Sequence, residues 1–269
     1  MIKAGVIGHP IAHSLSPKLH NYWLKKYGID GEYKAYDIAP DALFDFVSFL
    51  REKGMVGCNV TIPHKEMAVS LVRNLDEAAR MIGAVNTIVV ERDGTLTGMN
   101  TDAYGFSENI KPHLRDKQKA VILGAGGAAR AVIVALKQLG FTNIIITNRT
   151  RVRAEELAAQ HGLQRVEWSE KDAALAGADL LVNTTSLGMV GKEPLELSLD
   201  ALPKNALVTD IVYKPLITPL LAAAQARGNP IVDGLGMLLH QAAPGFAAWF
   251  GLPHLPEVTQ ELRDTILAS

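Results

Sequence analysis

Residues 119–153 read KAVILGAGGAARAVIVALKQLGFTNIIITNRTRVR, which is an apolar strand, a glycine turn, an Ala-rich helix, a second apolar strand and a basic cluster. A glycine turn between strand and helix lets backbone N–H groups approach a pyrophosphate at the positive helix N-terminus. Gly124, Ala125, Gly126, Gly127 and Ala128 supply that turn. In units that bind NAD, a carboxylate about 20 residues further on accepts the ribose 2′-OH. Here the second strand ends in Asn148, Arg149 and Thr150, with Arg153 just beyond. Two guanidiniums and two polar side chains suit a 2′-phosphate and leave no acceptor for a bare ribose. The expected cofactor is NADP(H). A glycine turn alone would fit many α/β chains, and Arg149 and Arg153 alone would read as solvated residues at a helix start. The flanking strands and the spacing join them into one motif.

At 269 residues the chain is long enough for two domains, and its formal net charge of −1 comes with neither a basic nor an acidic tail. That balance argues against nucleic acid or a membrane surface as partner and leaves a small-molecule substrate. The single cysteine, Cys58, excludes an internal disulfide and points to a reducing compartment. Within the apolar run MVGCNV it reads as a buried structural thiol. No apolar run approaches the ~20 residues of a membrane span. The start, MIKAGVIGHP, lacks the charged-then-apolar layout of a signal peptide. A cytoplasmic protein, monomer or homodimer, is expected.

Short strands and helices alternate over the first hundred residues. The pattern predicts a strand over 2–7 and a helix over 16–27 opened by Ser16 as cap and Pro17 as first helical residue. A strand over 32–37, an amphipathic helix over 41–53 and a buried strand over 57–60 follow. Next come helical segments over 64–71 and around 76–81, then a hairpin turning at Asp93-Gly94. From Ala103 the pattern becomes regular α/β, with strands over 120–123, 143–147, 179–183, 206–212 and 230–232. Strands alternating with helices imply a parallel, doubly wound sheet with its ligand at the carboxyl ends. Two closing helices, 237–250 and 257–267, have no strand between them. They are expected to return to the first domain, giving domains 1–102 plus 235–269 and 103–234 with a cleft between them.

Three further clusters carry chemistry. NVTIPHK ends in Lys65, past a strand and at the start of a helix; GMNTDAYGF holds Asp102 at the end of the hairpin; HSLSP presents Ser14 and Ser16. Taken singly, each has an ordinary explanation. A lysine at a helix start is usually solvated, Asp102 or Ser16 could cap a helix, and asparagines favour turns. Their joint placement at strand ends is what singles them out. His13 and His64 invite roles as acids but read as loop-shaping residues, and no His/Cys/Asp cluster has metal-ligand spacing, so no metal is expected.

The chain resembles the shikimate dehydrogenase family over essentially its whole length. The matching segments are GHPIAHSLSPKLHN, GCNVTIPHK, GAVNT, NTDAYGF, GAGGAARA, NRTRVRA, NTTSLGM and DGLGMLLHQAA, in that order. The resemblance implies an α/β fold of two domains, a substrate domain completed by C-terminal helices and a Rossmann-type NADP domain. It implies reversible, NADPH-dependent reduction of 3-dehydroshikimate to shikimate in aromatic amino acid biosynthesis. Lys65 and Asp102 match the catalytic pair, with Lys65 as general acid and base. Ser14 and Ser16 match the grip on the substrate carboxylate. Thr61, Asn86, Tyr213 and Gln241 match contacts to the ring hydroxyls, with Thr101 in the same wall. The pyrophosphate turn and the 2′-phosphate clamp fall on the residues already named. Thr184 and Ser186 match the passage of the nicotinamide ribose, Ile211 and Gly234 the nicotinamide, and Glu77 a weaker contact there. Met237 is expected near the ring.

Other readings fit less of the chain. A quinate/shikimate dehydrogenase would tend to place an acid in the basic clamp. A related chain with shifted substrate preference would keep the same motifs. A methylenetetrahydrofolate dehydrogenase does not explain HSLSP, NTD and DGLGM together. A non-catalytic NADP-sensing protein need not keep both Lys65 and Asp102.

Overall fold

The structure is a computed structural model that describes residues 1–268. By its contacts the chain divides into two compact units. One is Met1–Asp102 with the stretch from Leu239 onward, and the other is Ala103–Leu238.

The first unit opens with β1 (Ile2–Gly8), α1 (Ser16–Lys26), β2 (Gly31–Asp37), α2 (Leu43–Ser48) and β3 (Met55–Val60). It continues with β4 (Asn74–Leu75), α3 (Glu77–Ile82), β5 (Thr87–Val90) and β6 (Leu96–Met99). The strands order as β2-β1-β3-β5-β6-β4. β1 runs parallel to β2 and β3, whereas β3–β5 and β5–β6 are antiparallel. This mixture decides where the chemistry collects. The carboxyl ends of β1, β3 and β6 and the amino end of β5 all fall on one edge of the sheet. Asn59 pairs with Thr87, and Thr87 with Met99, along that edge.

One face of the sheet packs Ile7, Cys58, Val60 and Ile88 with Leu43, Val47 and Leu50. Cys58 is fully buried, and burial pushes its thiol up to about 12, as expected of a structural cysteine. An aromatic cluster of His20, Trp23, Tyr33, Phe246 and Trp249 lies within the same unit. Gly57 has a positive φ of 152°, and a Cβ there would stand 2.2 Å from the Trp249 indole nitrogen. Glycine is therefore required at this crossing.

The second unit carries α4 (Asp102–Ile110), β7 (Lys119–Leu123), α5 (Gly127–Gln138), β8 (Asn143–Thr147) and α6 (Arg151–His161). β9 (Gln164–Arg165), β10 (Leu180–Asn183), β11 (Leu207–Asp210), α7 (Pro219–Ala226) and β12 (Ile231–Val232) follow. The order is β12-β11-β10-β7-β8-β9, and every pairing is parallel. This is the doubly wound Rossmann arrangement, and its strand order reverses between β7 and β10, where such folds bind their ligands. The chain then enters α8 (Leu235–Phe250) and ends with α9 (Gln260–Leu267).

Several expected elements differ. Ser16 does not cap α1. It is the first helical residue, Leu15 takes the cap position and Pro17 is second. The Ser14 hydroxyl accepts the Ser16 N–H at 3.3 Å, which starts the helix one residue early. The helix expected over 41–53 is a 3₁₀ turn at Pro40–Ala42 followed by the six residues of α2, after which 49–54 turn back into β3. The helix expected over 64–71 is a 3₁₀ turn at Met67–Leu71, which leaves Lys65 in the turn before it. Asp102 begins α4 instead of preceding it, and Asn100 Oδ1 accepts its N–H at 3.1 Å.

Candidate active site

In the first unit the strand ends bring together most of the expected substrate residues. Lys65 Nζ donates to Asp102 Oδ2 at 2.6 Å, with the lysine side chain 29% and the aspartate 14% exposed. The other carboxylate oxygen accepts from Asn86 Nδ2 at 2.8 Å. Because Asn100 meets the Asp102 backbone, both carboxylate oxygens stay free for this pairing. Asn86 Nδ2 also approaches Thr101 Oγ1 at 3.0 Å and Gln241 Oε1 at 3.5 Å, which ties β5, the end of β6 and α8 to one amide. The Thr101 N–H donates to Asn86 Oδ1 at 2.9 Å.

Lys65 is held by its backbone, since its carbonyl accepts the Val85 N–H at 2.8 Å. Thr61 follows β3 directly, and its N–H donates to Ile7 O at 2.9 Å. His64 is fully buried, with Nε2 2.7 Å from Ile38 O, so it fastens the loop and is no exposed acid. Ser14 is half-buried, and the buried Ser16 opens α1, where the cap residue Leu15 has no side-chain hydrogen bond to offer and the Ser14 hydroxyl accepts the Ser16 N–H. His13 is exposed in the same loop.

The sequence reading missed residues beneath this surface. Asn59 is buried, donates to Asn86 O at 3.1 Å and to Thr87 Oγ1 at 3.0 Å, and accepts from Tyr33 Oη at 2.5 Å. The available signal was a polar residue in the middle of the apolar strand MVGCNV. Glu77, expected as a cofactor contact, is exposed in the first turn of α3 in this same unit.

In the second unit the glycine turn lies at the end of β7. Gly124 has φ +107°, and a Cβ there would meet Thr184 Oγ1 at 2.6 Å, so the fold itself demands this glycine. Gly126 and Gly127 are different. Neither has a positive φ, both are exposed, and a Cβ on either would meet nothing within 4 Å. The protein places no demand for glycine there, which is what a backbone approached closely by a bound group requires. α5 starts with neither a side-chain cap nor an acidic residue in its first turn, as suits a pyrophosphate; Ala125 is buried and Ala128 half-buried.

The basic cluster follows β8. Asn148 Nδ2 donates to Thr150 O at 2.8 Å and closes the turn. Arg149 and Arg153 are exposed and make no ion pair among the described residues. Arg151 between them is held by Glu155 at 2.6 Å and Glu167 at 3.3 Å. The unpaired guanidiniums, the open glycines and the uncapped helix fit the phosphates of NADP.

Past β10, Thr184 Oγ1 donates to Leu123 O at 2.8 Å and stitches the turn to β7, while Ser186 is exposed. The Ile211 N–H donates to Asn183 O at 3.1 Å, and a Cβ on Gly234 would strike Ile211 O at 2.3 Å. Beneath them Asp210 is fully buried; Asn183 Nδ2 and Thr218 Oγ1 donate to it at 3.0 and 2.8 Å. Burial raises its carboxyl, and those donors pull it back. Tyr213 is half-buried in this unit and burial raises its phenol; Met237 lies in the first turn of α8. Among the described residues no group of three His, Cys, Asp or Glu side chains could hold a metal ion, and no helix is long and apolar enough to cross a membrane.

Two family models match the chain: the shikimate dehydrogenase substrate binding domain over residues 6–88, and shikimate / quinate 5-dehydrogenase over 107–222. A shikimate dehydrogenase (NADP(+)) of Paramagnetospirillum magneticum is 53% identical, covering 98% of both chains. The shikimate 5-dehydrogenase of Thermus thermophilus in complex with NADP(H) and shikimate is 37% identical, with a TM-score of 0.89 over 100% of this chain and 99% of that one. A quinate dehydrogenase of Corynebacterium glutamicum in complex with NAD is 30% identical, with a TM-score of 0.92 over 100% and 99%.

Proposed function

The chain belongs to the shikimate dehydrogenase family, and on that premise we propose that it interconverts 3-dehydroshikimate and shikimate with NADP(H) in aromatic amino acid biosynthesis. The observation that carries this reading is the Lys65–Asp102–Asn86 group at the sheet edge, a proton donor fixed beside hydrogen-bonding side chains.

Bound NADPH supplies the hydride that reduces the substrate carbonyl carbon. Lys65 gives the carbonyl oxygen its proton and recovers it in the reverse direction. Asp102 fixes the ammonium 2.6 Å away, and Asn86 restrains the carboxylate from its other side. Thr61, Asn86, Thr101 and Gln241 offer amide and hydroxyl groups to the ring hydroxyls, with Tyr213 of the second unit in the same role. Sites built this way strongly reject analogues that lack the hydroxyls. Ser14 and Ser16 receive the carboxylate through their hydroxyls at the start of α1.

In this reading residues 1–102 with 235–269 bind substrate and 103–234 bind NADP. Gly124, Ala125, Gly126, Gly127 and Ala128 hold the pyrophosphate. Asn148, Arg149, Thr150 and Arg153 hold the 2′-phosphate. Thr184, Ser186, Ile211 and Gly234 line the nicotinamide end, with Glu77 a further contact. A cytoplasmic monomer or homodimer completes the proposal.

The test is reduced-nicotinamide absorbance with shikimate or quinate against NADP or NAD. Turnover is expected to be fastest with shikimate and NADP. Lys65→Ala should lower kcat by about 10²–10⁴-fold with a much smaller change in shikimate KM. Near-normal kcat in that variant overturns the assignment.

A further inference from the structure

We propose that the Thr87 hydroxyl and, behind it, the Tyr33 phenol are positioning residues that hold the Asn86 amide with its N–H toward Asp102. The inference rests on the reading of Lys65, Asp102 and Asn86 as the active site, and it concerns how buried side chains keep that site in one arrangement.

The direction of each hydrogen bond is forced. Asn59 Nδ2 lies 3.1 Å from the Asn86 backbone carbonyl, which can only accept, so the nitrogen side of the Asn59 amide faces that way. Its oxygen therefore faces Tyr33, whose phenol must donate. At the other end the Thr101 N–H, a donor only, lies 2.9 Å from the Asn86 side chain and marks that atom as the oxygen. Thr87 Oγ1 stands between the two amides, 3.0 Å from Asn59 Nδ2 and 2.9 Å from Asn86 Oδ1. It must accept from the first and donate to the second. Every donor from Tyr33 through Asn59, Thr87 and Asn86 points toward the Asp102 carboxylate. Such a chain polarises each of its members in the same sense.

Thr101 Oγ1 cannot fix the amide in this way. It lies 3.0 Å from Asn86 Nδ2 and 3.2 Å from Oδ1, so it is satisfied by either orientation. Thr87 and Tyr33 are buried at 0% and 1% exposure, and no solvent can replace a lost partner cheaply. Burial holds the Tyr33 phenol well above its ordinary range, so it remains a donor throughout the working pH. Without the Thr87 hydroxyl, one Asn59 N–H loses its partner and Asn86 Oδ1 loses one of its donors, so both amides are held less tightly in the orientation that the Thr101 N–H marks. The donor on Asp102 and the ring-hydroxyl contact then shift together.

The experiment compares Thr87→Val, Thr87→Ser and Lys65→Ala with the wild type in the shikimate–NADP assay, with thermal melts of each. Thr87→Val keeps the shape and should lower kcat/KM for shikimate about tenfold, with KM for NADP unchanged, because misplaced groups cost rate steeply. Thr87→Ser should stay within about threefold of wild type. Wild-type kinetics in Thr87→Val, equal damage in Thr87→Ser, or an equal rise in KM for NADP would each overturn the inference. Should Thr87→Val fail to fold, Tyr33→Phe carries the expectation, a loss of about two- to fivefold, and wild-type behaviour there overturns it equally. An inactive Lys65→Ala beside a fully active Thr87→Val sinks only this inference, whereas an active Lys65→Ala sinks the site reading beneath it.

Discussion

The two units prepare for their ligands in opposite ways. In the first, the groups proposed to meet substrate are already bonded to one another: Lys65 to Asp102, Asp102 to Asn86, and Asn86 to Thr101, Thr87 and Gln241. In the second, the groups proposed to hold cofactor are left open. Gly126 and Gly127 face free space, α5 lacks a cap, and Arg149 and Arg153 have no ion-pair partner among the described residues. The contrast follows from the ligands. A small polyol is read by neutral hydrogen bonds that must point in set directions, and a closed network supplies the direction. Phosphates are read by charge and backbone N–H, which act without mutual support.

The largest test of this contrast strikes the open side. Replacing Arg149 and Arg153 together by Ala should raise KM for NADP by about 10- to 100-fold, less where solvent screens the contact, and leave KM for NAD nearly unchanged. The thermal midpoint should not move, since neither side chain makes an ion pair or hydrogen bond among the described residues. Equal losses for both cofactors would show that the cluster does not read the 2′-phosphate.

Gly126→Val sharpens the same point. A Cβ at this position meets nothing within 4 Å, so stability should be unchanged while KM for NADP rises about tenfold, the expected penalty when backbone approach to a pyrophosphate is blocked. A destabilised variant with normal cofactor affinity would reverse the reading.

The smallest effect concerns an exception in the closed unit. His20 is fully buried, stacked 4.0 Å from the Tyr33 ring, and neither of its nitrogens has a partner at hydrogen-bond geometry among the described residues. Burial pushes it from 6.5 down to about 3, and the neighbouring Asn59 amide opposes that shift. Between those values the unfolded chain binds a proton that the folded one refuses. Stability therefore rises with pH across that window and is lost as pH falls through it, with a slope of up to about 1.4 kcal/mol per pH unit. Urea melts of His20→Phe at several pH values from 6.5 downward should show a flatter acid dependence than wild type, and identical slopes would remove His20 from the account.

What the sequence revealed and what it concealed divide by range. β8 spans 143–147 as the apolar run predicts, and the Asp93-Gly94 turn joins β5 to β6. Both are local signals with fixed turn or strand chemistry. β4 and β9 have two residues each, too few for any periodicity. The 41–53 segment carries a helical pattern throughout, yet the chain leaves the helix at Ser48 to enter β3, a demand set by the sheet and invisible in the segment. Lys65 and Asp102, which the structure pairs at 2.6 Å, were singled out by resemblance and strand-end position. Thr87 and Tyr33 were not, because a threonine and a tyrosine in strands look ordinary until the register sets Thr87 opposite Asn59.

The first unit is also discontinuous, and that fixes an order of events during synthesis. Its aromatic cluster needs Phe246 and Trp249 beside His20, Trp23 and Tyr33, and the Trp249 indole donates to Ile88 O at 2.9 Å. These partners are made last. The second unit, by contrast, is complete once Leu238 has been added. On the ribosome, then, the part of the protein made first cannot close its aromatic cluster until the whole second unit has been made. The first hundred residues therefore lack Phe246 and Trp249 for as long as the intervening unit takes to be made, and apolar strands left uncovered in that interval are the kind of surface that chaperones shield.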